Sequence, residues 1–181
     1  MHLQIQTEWQ RHRKHMEIKE LITDVDGVLT DGKYFYSEDG KVLKQFGPHD
    51  SDGFKIIRSL GIRIQAISAD HRGFKITEKR LNDMGIEVHL VSEEERLDWV
   101  VNNCEVEKTV FVGDGLYDAA AMRMCALSFA PSNALASTKS AATYITEAAG
   151  GSGVMFDVAL RLVKNIDPLR YEKLIRGDTS G

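Results

Sequence analysis

The 181-residue chain predicts an α/β fold, a parallel sheet with helices on both faces. Three observations carry that reading. Short apolar runs alternate with longer amphipathic stretches through the middle of the chain, the rhythm of successive strand–helix–strand units. Acids or hydroxyls stand at or just past several of those runs: Asp24 and Asp26, Ser68, then Asp114 and Asp118. That is where ligands bind in such folds, beyond the carboxyl ends of the strands. The composition, 43% apolar and 28% charged, is that of a globular protein rather than a disordered one.

Taken in order, Leu3 to Glu20 reads as a charged, loosely amphipathic helix. Its histidines His2, His12 and His15 are expected to be solvated, because no acid or cysteine completes a metal set at ligand spacing. The first strand then runs through Leu21-Ile22-Thr23 into Asp24-Val25-Asp26-Gly27. Alternate residues of an extended chain point the same way, so Asp24 and Asp26 converge on one volume, and Gly27 lets the backbone turn away. Aromatic and β-branched residues on both sides of Glu38-Asp39-Gly40-Lys41 predict a hairpin insertion over 33–46. Its exposed aromatics make it a candidate assembly surface.

After the loop 47–51, Asp52-Gly53 is expected to open a helix from Phe54 to Leu60. A strand at 62–67 ends at Ser68, followed by a helix over 73–84, a strand at 86–91 and a helix over 93–103. The strand Thr109-Val110-Phe111-Val112 ends at Gly113-Asp114-Gly115, and a helix starts at Asp118. A strand at 127–130, a helix over 134–142 and the pair Tyr144-Ile145 follow. The loop Gly150-Gly151-Ser152-Gly153 precedes a last helix, 154–163, and the polar tail 167–181 is expected to be mobile. No linker or repeat divides the chain, so it reads as one domain over 1–181.

The charge balance, 27 acidic against 23 basic residues, carries no nucleic-acid footprint. Cys104 and Cys125 lack the spacing of a disulfide framework or redox motif, which suits reduced thiols in a cytoplasmic protein. No apolar run reaches membrane-spanning length, and the basic N-terminal segment has no signal-peptide centre. The expected partner is therefore a small molecule, not a nucleic acid or a membrane.

Crowded carboxylates repel one another unless a cation compensates, and a hard divalent ion such as Mg2+ with oxygen ligands does so. The set also matches what attack on a phosphate ester requires. Asp24 would serve as an ionised nucleophile and Asp26 as the acid that protonates the leaving oxygen and later activates water. Ser68 would hold a phosphoryl oxygen, Asp114 would complete a metal shell, and Arg96 would supply a cation, with Lys75 or Lys79 as substitutes. Each residue also has a structural reading. The first acids can cap a turn, Ser68 can cap a strand end, Asp114 can serve a tight turn, Asp118 can be a first-turn helix acid, and Arg96 can pair with Glu93. Asp52, Gly53, Ala69, Asp70, His71 and Arg72, on loops at the ligand end, are candidates for substrate contact, as is His49.

Asp24-Val25-Asp26-Gly27-Val28-Leu29-Thr30-Asp31-Gly32, the Ile67-Ser68 strand end and Gly113-Asp114-Gly115 with Asp118 resemble the motifs of the haloacid dehalogenase superfamily. Within it they are most similar to the capless branch that includes the 3-deoxy-D-manno-octulosonate 8-phosphate phosphatases, over about residues 16 to 165. The resemblance implies a Rossmann-like fold without a cap domain and Mg2+-dependent phosphomonoester hydrolysis through an aspartyl-phosphate. It also implies a homotetramer in which hairpins pack between subunits. Asp24 would bind the metal through its side chain, Asp26 through its main-chain carbonyl and Asp114 as third ligand, with Asp118 in support. Several positions depart from the family's pattern. Its phosphate lysine is Arg96, its Thr-Gly-Arg is here Ser68-Ala69-Asp70-His71-Arg72, the second acid of its Gly-Asp-Asp is Gly115, and a substrate arginine falls at Phe156. These departures motivate an alternative, a catalytically weak phosphate- or metal-binding regulatory domain on the same scaffold. A phospho-accepting receiver domain is disfavoured, because it wants adjacent acids on its first strand.

Overall fold

Every residue of strand β1 (Glu20–Asp24) is buried, because strands flank it on both sides. β4 (Arg63–Ser68) and β6 (Thr109–Val112) both pair with it in parallel. With β5 (Glu87–Leu90), β7 (Leu127–Ala130) and β8 (Tyr144–Ile145) they form a six-stranded parallel sheet in the order β5-β4-β1-β6-β7-β8. The structure, a computed structural model, describes residues 17–178. The expected N-terminal helix and its histidines lie almost wholly outside that range, and Glu20, its expected last residue, is already part of β1.

Period-two alternation along the central strands supplies two core layers. Leu21, Ile64 and Val110 pack on one face with Phe54 and Ile57 of α1 (Asp50–Ser59), Leu81 of α2 (Phe74–Asp83) and Val154 and Val158 of α6 (Val154–Ile166). Ile22, Ile67 and Phe111 face the other way, against Val100 of α3 (Arg96–Asn103) and Ala121 and Met122 of α4 (Asp118–Met124). A short α5 (Ala136–Ala141) follows β7. Burying a side chain such as Leu21 or Ile22 contributes about 1.5–3 kcal/mol each, so the sheet centre is where much of the fold's apolar stabilisation is gathered.

The hairpin stands apart from this sheet, as β2 (Thr30–Ser37) and β3 (Gly40–Phe46) in antiparallel pairing. Its register shifts between Thr30 and Tyr34, and Tyr34, Phe35, Tyr36, Val42 and Leu43 are exposed.

Two expectations about helix boundaries need correction. Helix α1 opens at Asp50 rather than after Asp52-Gly53. The buried Asp50 accepts a hydrogen bond from the Met155 N–H (3.0 Å), tying the start of α1 to the start of α6. Gly53 lies inside the helix because a Cβ there would come 2.3 Å from the Met155 carbonyl group. The polar tail is helical from Pro168 to Ile175, forming α7. Asp167 caps it by accepting from the Arg170 N–H (3.0 Å), with proline at the first position, where its missing N–H costs nothing.

Candidate active site

The chain leaves β1 through a tight turn in which the Val25 carbonyl accepts from the N–H groups of Val28, Leu29 and Thr30. The Thr30 hydroxyl accepts from Gly27 and Gly32, both at 3.2 Å, and pins the loop from inside. Gly27 has φ +96°, and a Cβ there would lie 2.2 Å from an Asp114 carboxylate oxygen. Only glycine lets the turn pass this close to the acid at the end of β6.

Asp24, Asp114 and Asp118 each bring one carboxylate oxygen within 4.8 Å of the other two. Asp118 is fully buried and accepts from the N–H groups of Asp114 (2.9 Å) and Gly115 (2.8 Å), which fixes the β6–α4 loop. Arg96, at the first position of α3, places its guanidinium between Asp118, through Nη1, and Asp24, whose Oδ1 lies 3.2 Å from Nη2. The side chain therefore pairs with these two acids rather than with Glu93. Burial drives the Asp24 carboxyl well above the ordinary carboxylate range; Arg96 opposes this, while Asp118, Asp114 and Asp26 add to it. Burial and the Asp118 charge push Asp114 up to about 6. Three acids facing one guanidinium leave an excess of negative charge in an all-oxygen donor set, which fits a hard divalent cation.

The second half of the site is built around Asp26. Its Oδ2 accepts from the Ser68 hydroxyl (3.1 Å), and Ser68 in turn accepts from the Asp70 N–H (3.2 Å). The Lys44 ammonium, reaching in from β3, lies 2.7 Å from Asp26 Oδ1, 2.9 Å from Oδ2 and 2.7 Å from Asp70 Oδ2. It also donates to Thr77 of α2 (2.9 Å). Burial acts to raise Asp70, but Lys41, Lys44 and the Gly73 N–H outweigh it and hold the carboxyl down at about 2.

Asp24, Asp26, Asp70, Arg96 and Asp114 line one cleft of about 310 Å3. A wider mouth beside it is lined by Tyr34, Tyr36, Lys41, Ala69, His71 and Arg72, and Arg72 donates to the Tyr36 hydroxyl (2.9 Å). Asp52 and Gly53 line neither space; Asp52 is exposed and pairs with Lys55 (3.1 Å). The buried acid of that loop is Asp50, which lines neither space either. His49 is exposed beside Phe156, their ring centroids 6.4 Å apart. Lys75 is exposed and Lys79 pairs with Asp83, so neither replaces Arg96. Lys44 is the functional candidate that sequence reasoning missed. Its only signal was a lysine among alternating hairpin residues, where solvent exposure is the ordinary outcome.

A curated 3-deoxy-D-manno-octulosonate 8-phosphate phosphatase from Haemophilus influenzae is 31% identical to the chain over 152 residues, 81% of this chain and 83% of that protein. The chain belongs to this phosphatase family, within the haloacid dehalogenase superfamily. A cobalt-bound phosphatase structure from the same organism aligns at 30% identity with a TM-score of 0.73, covering 84% of this chain and 91% of that one. The Moraxella catarrhalis phosphatase, solved with magnesium, phosphate and the sugar acid KDO, gives 0.80 at 25% identity, covering 94% and 97%. No protein-family model matches the chain. The parallel sheet and the lack of a cap among the described residues agree with these capless phosphatases.

Proposed function

We propose that this phosphatase is a Mg2+-dependent phosphomonoester hydrolase acting on a small sugar or sugar-acid phosphate through an aspartyl-phosphate at Asp24. One observation carries the reading: Asp24 and Asp114 share one cleft with Asp26, two residues beyond Asp24, and the buried Asp118 completes the acidic cluster behind them. Asp24 attacks phosphorus while the bond to the sugar oxygen breaks, and Asp26 gives its proton to that departing oxygen. Water then attacks phosphorus and passes a proton to Asp26 as the bond to the Asp24 oxygen breaks, which releases phosphate and restores both acids. Asp24, the Asp26 carbonyl and Asp114 would hold Mg2+, with Asp118 supporting them. When bound, the ion offsets the repulsion between an anionic nucleophile and an anionic ester. Arg96 contributes a fixed positive charge beside Asp24, and Ser68 is assigned to a phosphoryl oxygen, to which its hydroxyl would turn from Asp26 when substrate binds.

The substrate class rests on the relatives, named for a phosphorylated octulosonate, and on the metal, phosphate and sugar acid held together in the Moraxella structure. It stops short of that particular sugar acid. Asp70 stands where the family has an arginine, and Phe156 stands where it has a second one. The cations left at the mouth are Lys41, Arg72 and, when protonated, His71. We assign the exposed apolar side of the hairpin to a subunit interface of a homotetramer, an assignment that a monomeric mass by light scattering would remove. A cytoplasmic setting agrees with Cys104 and Cys125, both free thiols.

The test is phosphate release from a panel of sugar phosphates and sugar-acid phosphates, with and without Mg2+, beside Asp24→Asn. Mg2+-dependent turnover lost in the variant is expected. A folded, metal-binding protein that releases no phosphate from any of them would instead be the regulatory domain.

A further inference from the structure

Lys44 has no exposed side-chain surface, although it sits on a hairpin much of whose surface is open to solvent. A buried ammonium is costly unless paired and hydrogen-bonded, and this one is saturated. Its three N–H donors meet Asp26 Oδ1 and Oδ2, Asp70 Oδ2 and the Thr77 hydroxyl, all within 2.9 Å. Ser68 closes the circuit, donating to Asp26 and accepting from the Asp70 backbone. Gly73 leaves room for this arrangement, since a Cβ there would lie 2.6 Å from Lys44 Cε and 2.2 Å from Asp70 Oδ2.

Asp26 lies beyond the end of β1, outside the hydrogen-bond ladder that fixes Asp24. Its side chain is about one-third exposed, and without Lys44 the Ser68 hydroxyl is the one other side-chain donor the structure gives it among the described residues. A lone hydroxyl restrains one oxygen; the ammonium restrains both.

We propose that Lys44 is the positioning residue for Asp26, holding its carboxyl at the leaving-group side of the cleft, so that the hairpin delivers a part of the catalytic geometry. This rests on the reading of Asp26 as the acid–base residue. A group that acts only by aiming the acid matters most when the leaving oxygen needs a proton. Lys44→Met should therefore hurt a sugar phosphate, which expels an alkoxide, far more than para-nitrophenyl phosphate, whose phenolate leaves unaided.

The experiment compares kcat/KM on both esters, with Mg2+, for the wild type, Lys44→Met, Asp26→Asn and the double variant. Lys44→Met should lose at least about 100-fold on the sugar phosphate and less than about fivefold on the aryl ester, the scale of a misplaced general acid. The double variant should lose no more on the sugar phosphate than Asp26→Asn alone. Thr77→Val keeps the ammonium but removes one of its anchors, and it should show the same ester preference at roughly three- to tenfold. Equal losses on both esters, or additive losses in the double variant, would show a merely structural lysine and overturn the proposal. A wild type inert on both esters would instead bring down the phosphatase mechanism itself, and the proposal with it.

Discussion

The two halves of the cleft are held by different means. On one side, Asp24 ends β1, Arg96 and Asp118 open α3 and α4, and Asp114, two residues past β6, is tied by its backbone N–H to the Asp118 carboxylate. Their positions follow from the β1–β6 pairing and from backbone N–H groups that fix Asp118. On the other side, Asp26 lies past its strand and is held by side chains from β4 and the hairpin, with α2 anchoring Lys44. The acidic cluster is thus held by strand pairing and by backbone N–H groups. The Asp26 side is held by side-chain groups, one of them delivered by the hairpin.

Substitutions can break this comparison at either half. The largest expected effect is Asp24→Asn, which should lower phosphate release by at least about 1,000-fold, since an amide is no nucleophile. The protein should stay folded, as circular dichroism would show. Next is Arg96→Met, which leaves Asp24 and Asp118 buried and uncompensated. It should cost about 3–5 kcal/mol of stability in denaturant titrations, with Mg2+ restoring part of the loss. A variant as stable as wild type without Mg2+ would mean that the metal half does not depend on its internal charge balance.

Asp50 lies outside both halves and supplies a baseline. Burial, the largest influence, lifts its carboxyl from 3.8 to about 6 against the Met155 hydrogen bond. The folded state thus keeps a proton that the unfolded chain releases. The stability from that proton is full below about 4 and is lost as pH rises through about 6. Relative to wild type, Asp50→Asn should gain up to about 3 kcal/mol as pH rises across that window, read from denaturation at several pH values. Smallest is Gly27→Ala, whose methyl would meet the Asp114 carboxylate at a strained φ. It should cost about 1–3 kcal/mol and weaken Mg2+ binding by calorimetry. An unchanged Mg2+ affinity would show that the turn does not set the position of Asp114.

The same division explains what could be read from the sequence. Asp24, Ser68, Asp114 and Asp118 announce themselves because strand ends are local, and local patterns place them on one edge of a parallel sheet. Lys44 does not, because its burial depends on the hairpin folding against α2 and on Asp70 standing where it can be paired. Asp50 is hidden from the sequence for the same kind of reason. Its partner, Met155, lies far along the chain, and the Asp52-Gly53 pair made a stronger turn signal than it deserved. The helix after Asp167 is different, since its cap and its Pro168 start are local features, but the polar composition of the tail points to mobility instead.

The glycine loop before α6 is pressed against the loop that follows Asp26. A Cβ at Gly150 would lie 1.9 Å from the Gly27 carbonyl oxygen, and one at Gly47 would lie 1.8 Å from that of Gly151. Backbone therefore meets backbone across roughly 120 residues of chain. At a synthesis rate of about 5–20 residues per second, the first motif waits on the order of 6–25 s for the segment that buttresses it. A nascent chain on the ribosome thus carries the Asp24–Gly27 turn long before the glycine loop that closes against it, and the cleft is completed late in translation.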